Sequence, residues 1–600
     1  MNLSESVSLA AFSNYWTKRD EQLKLFVEKT FQDLKEGSIC FSLPLEVKDP
    51  KEEASKKLRE ADIQASPLLT KDPEIIRPFI LYKNNFYIYK YFQYESKVLK
   101  RIGEFNRVSQ EQAENRRSKV YGEKDFLEDF INAENEKLQF VAAINAFLNQ
   151  FSIITGGPGT GKTTTVAKLL SMLNHLAEND LKIALAAPTG KAAKRMEESL
   201  NSRDEHLKKN LKGDFALPKA TTIHRLLKVK YPRMHHFKKN SENPLNYDVV
   251  IIDEASMIDV PLFAKLLEAI DPEKTRLILL GDQNQLPSVG AGSMFKDLCE
   301  SVKPENPIKN ALNIFSRDFV ACFNAILPTE FYLSDKNSPP KATCELGDNI
   351  TELMHSFRFS EKSEIGQISQ AVLQGETSIV KSFYEANGEK VQLQEEFKSD
   401  EKENSDLQEI TRKYQAFIEE DDIEKALDKF NDVRVLCATK RGDHGVKRLN
   451  EQIEKQLQIN PEYKKFYHNR PIMITRNNRE LGLYNGDTGM VRKEDNGELK
   501  AHFRIGDEIK SFSVGLMNEV ETVFAMTIHK SQGSEFKYVY LFLPTQEDSR
   551  ILTRELIYTG ITRGKEQVKI YSPENVITKG IQKTVTRVSG IQERLNENYK

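Results

Sequence analysis

Cysteine is scarce in this chain. Its five copies, Cys40, Cys299, Cys322, Cys344 and Cys437, are scattered over 600 residues with no close pair. That spacing excludes a disulfide framework, argues against a zinc or iron–sulfur centre, and fits a reducing compartment. There is no run of about 18 apolar residues, so no membrane span is expected. The opening MNLSESVSLAAFSNYW lacks a basic stretch followed by an apolar core, so no secretory signal is read there. The expectation is a cytoplasmic protein without membrane association. Positive charge is not in excess either: 87 Lys plus Arg face 89 Asp plus Glu, for a net charge of −2. Any contact with nucleic acid must therefore rest on local basic surface. No fixed-period internal repeat is present.

What is there suits a folded protein, 39% hydrophobic and 29% charged, and too long for one core. The most informative stretch is FSIITGGPGTGKTTTVAKLLSMLNHLA, Phe151 to Ala177. Phe151 to Thr155 reads as a short buried strand. Val166, Leu169, Leu170, Leu173 and Leu176 recur at helical spacing behind it. Between them lies Gly156, Gly157, Pro158, Gly159, Thr160, Gly161, Lys162, Thr163 and Thr164, which contains the full phosphate-loop pattern. A strand before and a helix after give that pattern its meaning. The glycines allow backbone N–H groups to turn inward around phosphate oxygens, and the helix N-terminus adds partial positive charge. Lys162 can reach the β- and γ-phosphates and Thr163 can hold Mg²⁺. The expected ligand is a nucleoside triphosphate.

Residues 1–112 form a first unit. The chain around Phe12, Tyr15 and Trp16 starts a helix, and EQLKLFVEKTFQDLKEG is an amphipathic helix closing at Gly37. ICFSLPLEV is a strand, and FILYKNNFYIYKYFQYESKVL gives a hairpin around Lys83-Asn84-Asn85. The aromatic residues Phe86, Tyr87, Tyr89, Tyr91 and Phe92 read as core. Residues 107–135 are a polar linker or solvated helix. Gln139, before the phosphate-loop strand, can both donate to and accept from an adenine edge, or be an ordinary surface glutamine.

Residues 113–335 read as one nucleotide-binding lobe. KIALAAPTGKAAKRM is a strand, turn and helix start. Thr189, Gly190 and Lys191 lie at its strand end, where open α/β sheets place ligands. His224 sits in ATTIHRLL. A small basic insertion, about 228–243, begins KVKYPRMHHFKK. Its basic residues interleave with Tyr231 and Phe237, which suits either a surface that stacks on bases or a solvated hairpin. DVVIID ends in Asp253-Glu254. Asp253 is placed to hold Mg²⁺ through its water shell, and Glu254 to orient and deprotonate the attacking water. Gln285, in GDQNQLPSVGAG, could sense a γ-phosphate.

Residues 336–600 form a second α/β lobe, with VRVLCAT, PIMIT, TVFAMTI, YVYLFL and QVKIYS as its strands. Two turn signals, Asn485-Gly486 and Asn496-Gly497, mark a small β-barrel inserted at about 476–520. Thr527, His529 and Lys530 sit at a strand end.

The ordered series GGPGTGKT, APTGKAAKRM, TIHRLL, IIDEASM, GDQNQLPSVGAG, SFRF, YNGDTG, TIHKSQGSEF and YTGITRGK resembles superfamily 1 helicases of the 5′-to-3′ branch. Within that branch the resemblance is to the RecD family, alpha subunits of exodeoxyribonuclease V, and it covers about residues 137–570. It implies an α/β protein with two RecA-like parallel-sheet lobes, an inserted SH3-like β-barrel and a mixed N-terminal domain that docks partners. It further implies an ATP- and Mg²⁺-dependent motor that moves 5′-to-3′ on single-stranded DNA at duplex ends, in a heterotrimer with RecB-like and RecC-like subunits. Gln139 then matches the adenine-reading glutamine. Arg358 and Arg563 match two arginines reaching the γ-phosphate from the second lobe. Pro188, Thr189, Lys191, His224, Thr527, His529 and Lys530 match motifs facing single-stranded DNA. The basic insertion carries no conspicuous apolar pin, which argues against unaided duplex splitting. Long stand-alone relatives carry a larger N-terminal extension that is not seen here, so the complex-forming subunit is favoured. A stand-alone repair helicase and a structural subunit with a vestigial ATPase are the competing readings. No acidic–lysine metal cluster points to a nuclease centre in this chain.

Overall fold

The computed structural model describes residues 23–48, 55–60, 66–128, 136–177, 181–201, 218–230, 236–303 and 311–597, together with Tyr15 and Ile63. Residues 399–404 and a few single positions within these spans are excepted. The expected helix start around Phe12 and Trp16 lies outside the described residues, as does Tyr231.

The N-terminal unit begins with a helix, Lys24–Glu36, closed by Gly37 in the left-handed region. Four strands then form a sheet in the order Cys40–Ser42, Asn85–Ile88, Phe79–Tyr82, Leu69–Thr70, while Leu45–Lys48 pairs with Ser55–Leu58 in a separate antiparallel ribbon, so ICFSLPLEV is two strands rather than one. The hairpin turns at Lys83-Asn84, with Asn85 already in the second strand. That strand is shorter than its apolar run suggests. From Tyr89 the chain is a 34-residue helix, Tyr89–Gly122, burying Phe92, Val98, Leu99, Ile102 and Phe105. This helix runs through the expected boundary at residue 112. Its apolar side shares one core with Ile80 and Tyr87 of the N-terminal sheet and with Phe151 and Leu277 of the next. Val108, Ser109, Arg116 and Val120 are buried further along it, so the part of the expected linker that lies in this helix is packed.

The first α/β sheet is parallel throughout, ordered Ile350–Leu353, Phe151–Gly156, Arg276–Gly281, Val249–Ile252, Ile183–Ala187, Thr221–Thr222. Its central strands are buried apolar runs, as expected when helices cover both faces. The expected boundary at 335 is too early, because Ile350–Leu353 pairs along the phosphate-loop strand from Ile153 to Gly156.

The second sheet is also parallel, ordered Val391–Gln394, Gly564–Tyr571, Phe536–Phe542, Val433–Cys437, Ala525–Thr527. PIMIT is not part of it. Arg470–Ile474 is instead the fourth strand of a separate antiparallel sheet, ordered Glu508–Ser513, Leu499–Ile505, Thr488–Lys493, Arg470–Ile474, Val520–Thr522. The insertion therefore spans 470–522 rather than about 476–520. Its small core is built on Ile472, Ile474, Leu483, Val491, Ala501, Phe503 and Met517. In the basic insertion Val229 and Phe237 form an antiparallel bridge. Phe237 is buried, so it serves the core and is not a stacking surface. Among the described residues no helix is long and apolar enough to cross a membrane.

Candidate functional site

The C-terminal ends of the first sheet's strands and the N-terminal ends of the second sheet's strands Phe536–Phe542 and Gly564–Tyr571 face a cleft of about 430 Å³. The phosphate loop forms one wall. Its strand is fully buried, and its helix, Lys162–Leu176, starts at Gly161 with φ of 86°, a conformation that glycine adopts without steric cost. Lys162 Nζ donates to the carbonyls of Gly156 (2.6 Å) and Gly157 (3.0 Å). Buried Gln139 donates to the Thr160 carbonyl at 3.1 Å. Its amide is thereby held against the phosphate loop, which excludes an ordinary surface glutamine.

Asp253 and Glu254 follow the strand Val249–Ile252. Glu254 has φ of 52°, an uncommon posture for a non-glycine residue and one that recurs at functional sites. Its N–H donates to Asp253 Oδ1 at 2.8 Å. Burial pushes the Asp253 carboxyl up to about 6; the charge of Glu254 adds to that and Lys162 opposes it. Opposite, Gln285 donates to Asp282 Oδ2 at 3.0 Å, while its Oε1 is buried and has no hydrogen-bond partner among the described residues. Tyr558 donates to the same Asp282 oxygen at 3.2 Å from the second lobe.

Arg358 does not come from the second lobe as expected. It follows the first-sheet strand Ile350–Leu353, on the segment joining the two sheets, because that strand pairs beside the phosphate loop. Ser356 Oγ donates to the Pro158 carbonyl (3.1 Å) and Phe357 N to that of Gly159 (2.9 Å), stitching this segment to the loop. Arg563 does come from the second lobe. It is buried, and its guanidinium donates to the carbonyls of Thr559 and Ser534, both at 3.1 Å.

Several lining residues escaped the sequence reading. Glu535 pairs with Arg358 (2.7 Å), Lys565 (3.2 Å) and Arg195. Burial alone would push its carboxyl up, but the three cations outweigh burial and hold it at about 2. Half-exposed Phe357 lines the cleft mouth. Arg195 and Glu535 both stand inside quoted motifs, KAAKRM and QGSEF. Their pairing spans 340 positions of sequence, and no local pattern carries it.

The seven residues expected to face DNA are not all in one place. Pro188 and Thr189 follow the strand Ile183–Ala187, and Thr189 Oγ1 accepts from Ala192 N, capping the next helix. Lys191, on that helix, is pushed down to about 8 by burial and by Arg434, with Asp487 opposing. Thr527 Oγ1 caps Lys530 N at 3.3 Å, and Lys530 pairs with Glu521 at 2.7 Å. Thr527 and Lys530 share a second cleft, about 500 Å³, with Lys440, Arg441, Lys447 and Arg470. His529 is exposed. His224 packs on Phe237, ring centroids 5.9 Å apart.

The sequence matches the models of an AAA domain at residues 139–291 and of a UvrD-like helicase C-terminal domain at 522–571. The RecBCD enzyme subunit RecD of Mycobacterium tuberculosis H37Rv is 31% identical, across 96% of this chain and 92% of its own. That of Haemophilus influenzae is 35% identical, across 78% and 74%. The ATP-dependent RecD2 DNA helicase of Deinococcus radiodurans is 26% identical, across 69% of this chain and 46% of its own. Among solved structures, the Pif1 helicase from Candida albicans is similar at 13% identity and a TM-score of 0.39, across 78% of this chain and 99% of that one. With a phosphate-loop cleft between two parallel sheets and identity to RecD subunits over nearly its whole length, this chain belongs to the RecD family of ATP-dependent DNA helicases.

Proposed function

We propose that this chain is the 5′-to-3′ single-stranded DNA motor of a RecBCD-type helicase–nuclease, acting at duplex ends with RecB-like and RecC-like subunits. The observation that carries the reading is the convergence of Lys162, Asp253, Glu254, Gln285, Arg358 and Arg563 on one cleft between two sheets. A cleft so built can couple hydrolysis to relative movement of its walls.

In this reading the backbone N–H groups from Gly156 to Thr164 and the ammonium of Lys162 hold the triphosphate, exchanging the carbonyls of Gly156 and Gly157 for phosphate oxygens. Phe357, exposed at the mouth, offers a face for the adenine, with Gln139 behind the loop. Mg²⁺ fits the donors present. The Thr163 hydroxyl and the Asp253 carboxylate line the cleft, and the burial of Asp253 beside Glu254 is a situation that a divalent cation relieves. Bound there, the ion would neutralise charge on the β- and γ-phosphates. Glu254 then orients and deprotonates the attacking water. Gln285, with its buried free acceptor, reads the γ-phosphate. Arg358 and Arg563 stabilise the charge that develops on it.

The pieces beyond the cleft take roles as follows. Pro188, Thr189, Lys191, His224, Thr527, His529 and Lys530 hold the strand across both sheets. The antiparallel insertion acts as an SH3-like domain enclosing it, and the N-terminal unit docks the partner subunits. The five buried free cysteines suit a reducing cytoplasm.

The test is Lys162→Ala in the purified chain. ATPase activity is expected to vanish while binding of an oligothymidylate persists. Retention of more than a few per cent of the ATPase overturns the assignment. Co-purification of the native chain with two larger proteins separates the complex subunit from a stand-alone helicase.

A further inference from the structure

The segment after the second sheet crosses three parts of the molecule. It leaves the second lobe at Lys583, whose carbonyl accepts from Arg554 N at 2.8 Å, and Val585 N donates to Glu555 Oε2 at 2.9 Å. Val588 then lies along the N-terminal unit: its N–H donates to Ser38 Oγ and its carbonyl accepts from Ile39 N, both at 3.1 Å. Ser589 donates to Asp297 at 2.8 Å. Gly590 N and Arg594 Nη1 both donate to the fully buried carboxylate of Glu95, at 3.1 and 2.9 Å. Ile591 and Leu595 complete the core shared by the N-terminal unit and the first lobe.

In the middle of this strap stands Arg587. Its Nη1 donates to Gly292 O (2.9 Å), Gly290 O (3.0 Å) and Ser288 Oγ (3.4 Å). These three acceptors belong to one loop. The start of that loop is held by the second lobe, where Leu286 N donates to Thr559 Oγ1 at 3.0 Å and Leu286 O accepts from Gln532 at 2.9 Å. Its end is held by the N-terminal unit, Gly292 N donating to Gly37 O at 2.7 Å. Gly37, at φ of 99°, closes over the guanidinium so tightly that a side chain there would collide with it. Between the two holds, Ser288 is 2% exposed and Val289 is 81% exposed. An apolar side chain is thus presented to solvent next to a buried, hydrogen-bonded serine. The loop starts one residue after Gln285 of the nucleotide cleft. The Arg587 charge also adds to the desolvation that lowers the pKa of His529.

We propose that Arg587 is a positioning residue, which sets this loop so that Val289 bears on the bases of the bound single strand and ties the loop's posture to the N-terminal unit. The proposal rests on the reading of the chain as a single-stranded DNA motor. Ser288 Oγ also donates to the Gly290 and Gly292 carbonyls, at 3.0 and 3.1 Å, so replacing the guanidinium by a smaller group loosens the turn by removing its tie to the strap.

The test uses the full chain with Arg587→Ala, Val289→Ala and, as a control, Arg594→Ala, which loosens the strap without touching the loop. Two quantities are read: amide hydrogen exchange of residues 286–292 without DNA, and the oligothymidylate concentration giving half-maximal ATPase stimulation. Arg587→Ala should raise both by on the order of tenfold and leave the ATPase rate at saturating DNA within about twofold. Val289→Ala should raise only the half-saturating concentration. Arg594→Ala should lower the melting temperature and move neither quantity. The proposal is overturned if Arg587→Ala leaves either quantity unchanged, or if Arg594→Ala shifts loop exchange as far. Absence of any DNA stimulation in the parent chain would sink the motor reading instead, and the exchange measurement would still decide whether Arg587 holds the loop.

Discussion

Burial, before any neighbour, pushes the Lys191 ammonium down to about 8; Arg434, Arg195 and Lys194 add to that and Asp487 opposes it. A lysine in that position is held ready for an anion. A DNA phosphate placed beside it would supply the missing negative charge and restore its proton. Below pH 8 the group is charged and attracts the backbone; above it, the group turns neutral and the attraction is lost. Affinity for a short oligothymidylate should therefore fall several-fold between pH 7 and pH 9.5, with proton uptake on binding in that window. Lys191→Met should bind more weakly at pH 7 and lose most of this dependence. Titrations by fluorescence anisotropy at matched ionic strength decide it, and an unchanged pH slope in the variant rejects the role given to Lys191. The sequence placed this lysine at a sheet end. It could not show the crowding that lowers its pKa, because Arg434 and Asp487 arrive from more than two hundred residues away.

The inserted antiparallel domain reaches from its own lobe to the first. Tyr484 packs on Gly190, where a Cβ would come within 3.0 Å of the tyrosine side chain. Its hydroxyl accepts from Arg225 at 3.3 Å, and Lys194 donates to the Arg504 carbonyl at 2.9 Å. These contacts join the insertion to the first lobe beside Lys191, the place a strand bound across both sheets would pass. Tyr484→Ala should loosen this closure and speed dissociation of an oligothymidylate several-fold while leaving the KM for ATP unchanged, as stopped-flow release would read. An unchanged off-rate removes the insertion from the grip. The insertion's turns were legible from Asn485-Gly486 and Asn496-Gly497, and both glycines have positive φ. Its first strand was not, because PIMIT is a short continuous apolar run, and such a run suits a buried strand in either sheet. Ile350–Leu353 was missed for the opposite reason: four residues containing Thr351 and Glu352 carry too little apolar signal. Both errors moved boundaries and left the two-lobe architecture intact.

At the scale of the whole molecule, the cleft brings together groups from residues 139 to 563, and the long separations are what the sequence could not fix. Arg563 illustrates both sides. Its place in YTGITRGK was readable; its buried seat was not. There the guanidinium is held by two second-lobe carbonyls, at Thr559 and Ser534, and burial lowers its pKa, with Glu254 across the cleft opposing that. Such a group is already oriented before any phosphate charge develops, so its contribution should fall mainly on the chemical step. It should also depend on the planar fork, since a lysine ammonium on a flexible stem cannot occupy both carbonyls and still point into the cleft. Arg563→Lys should then resemble Arg563→Ala, each lowering kcat for DNA-stimulated ATP hydrolysis by on the order of 10³. Binding of a non-hydrolysable ATP analogue should weaken by less than about tenfold, because the phosphate loop and Lys162 remain. Single-turnover hydrolysis beside equilibrium binding separates the two effects. A lysine variant that keeps more than about a tenth of the rate would mean that charge alone suffices and that the bonds to Thr559 and Ser534 serve only folding. Loss of analogue binding in step with the rate would make Arg563 part of the ground-state grip, and the second lobe would then hold the nucleotide rather than respond to it.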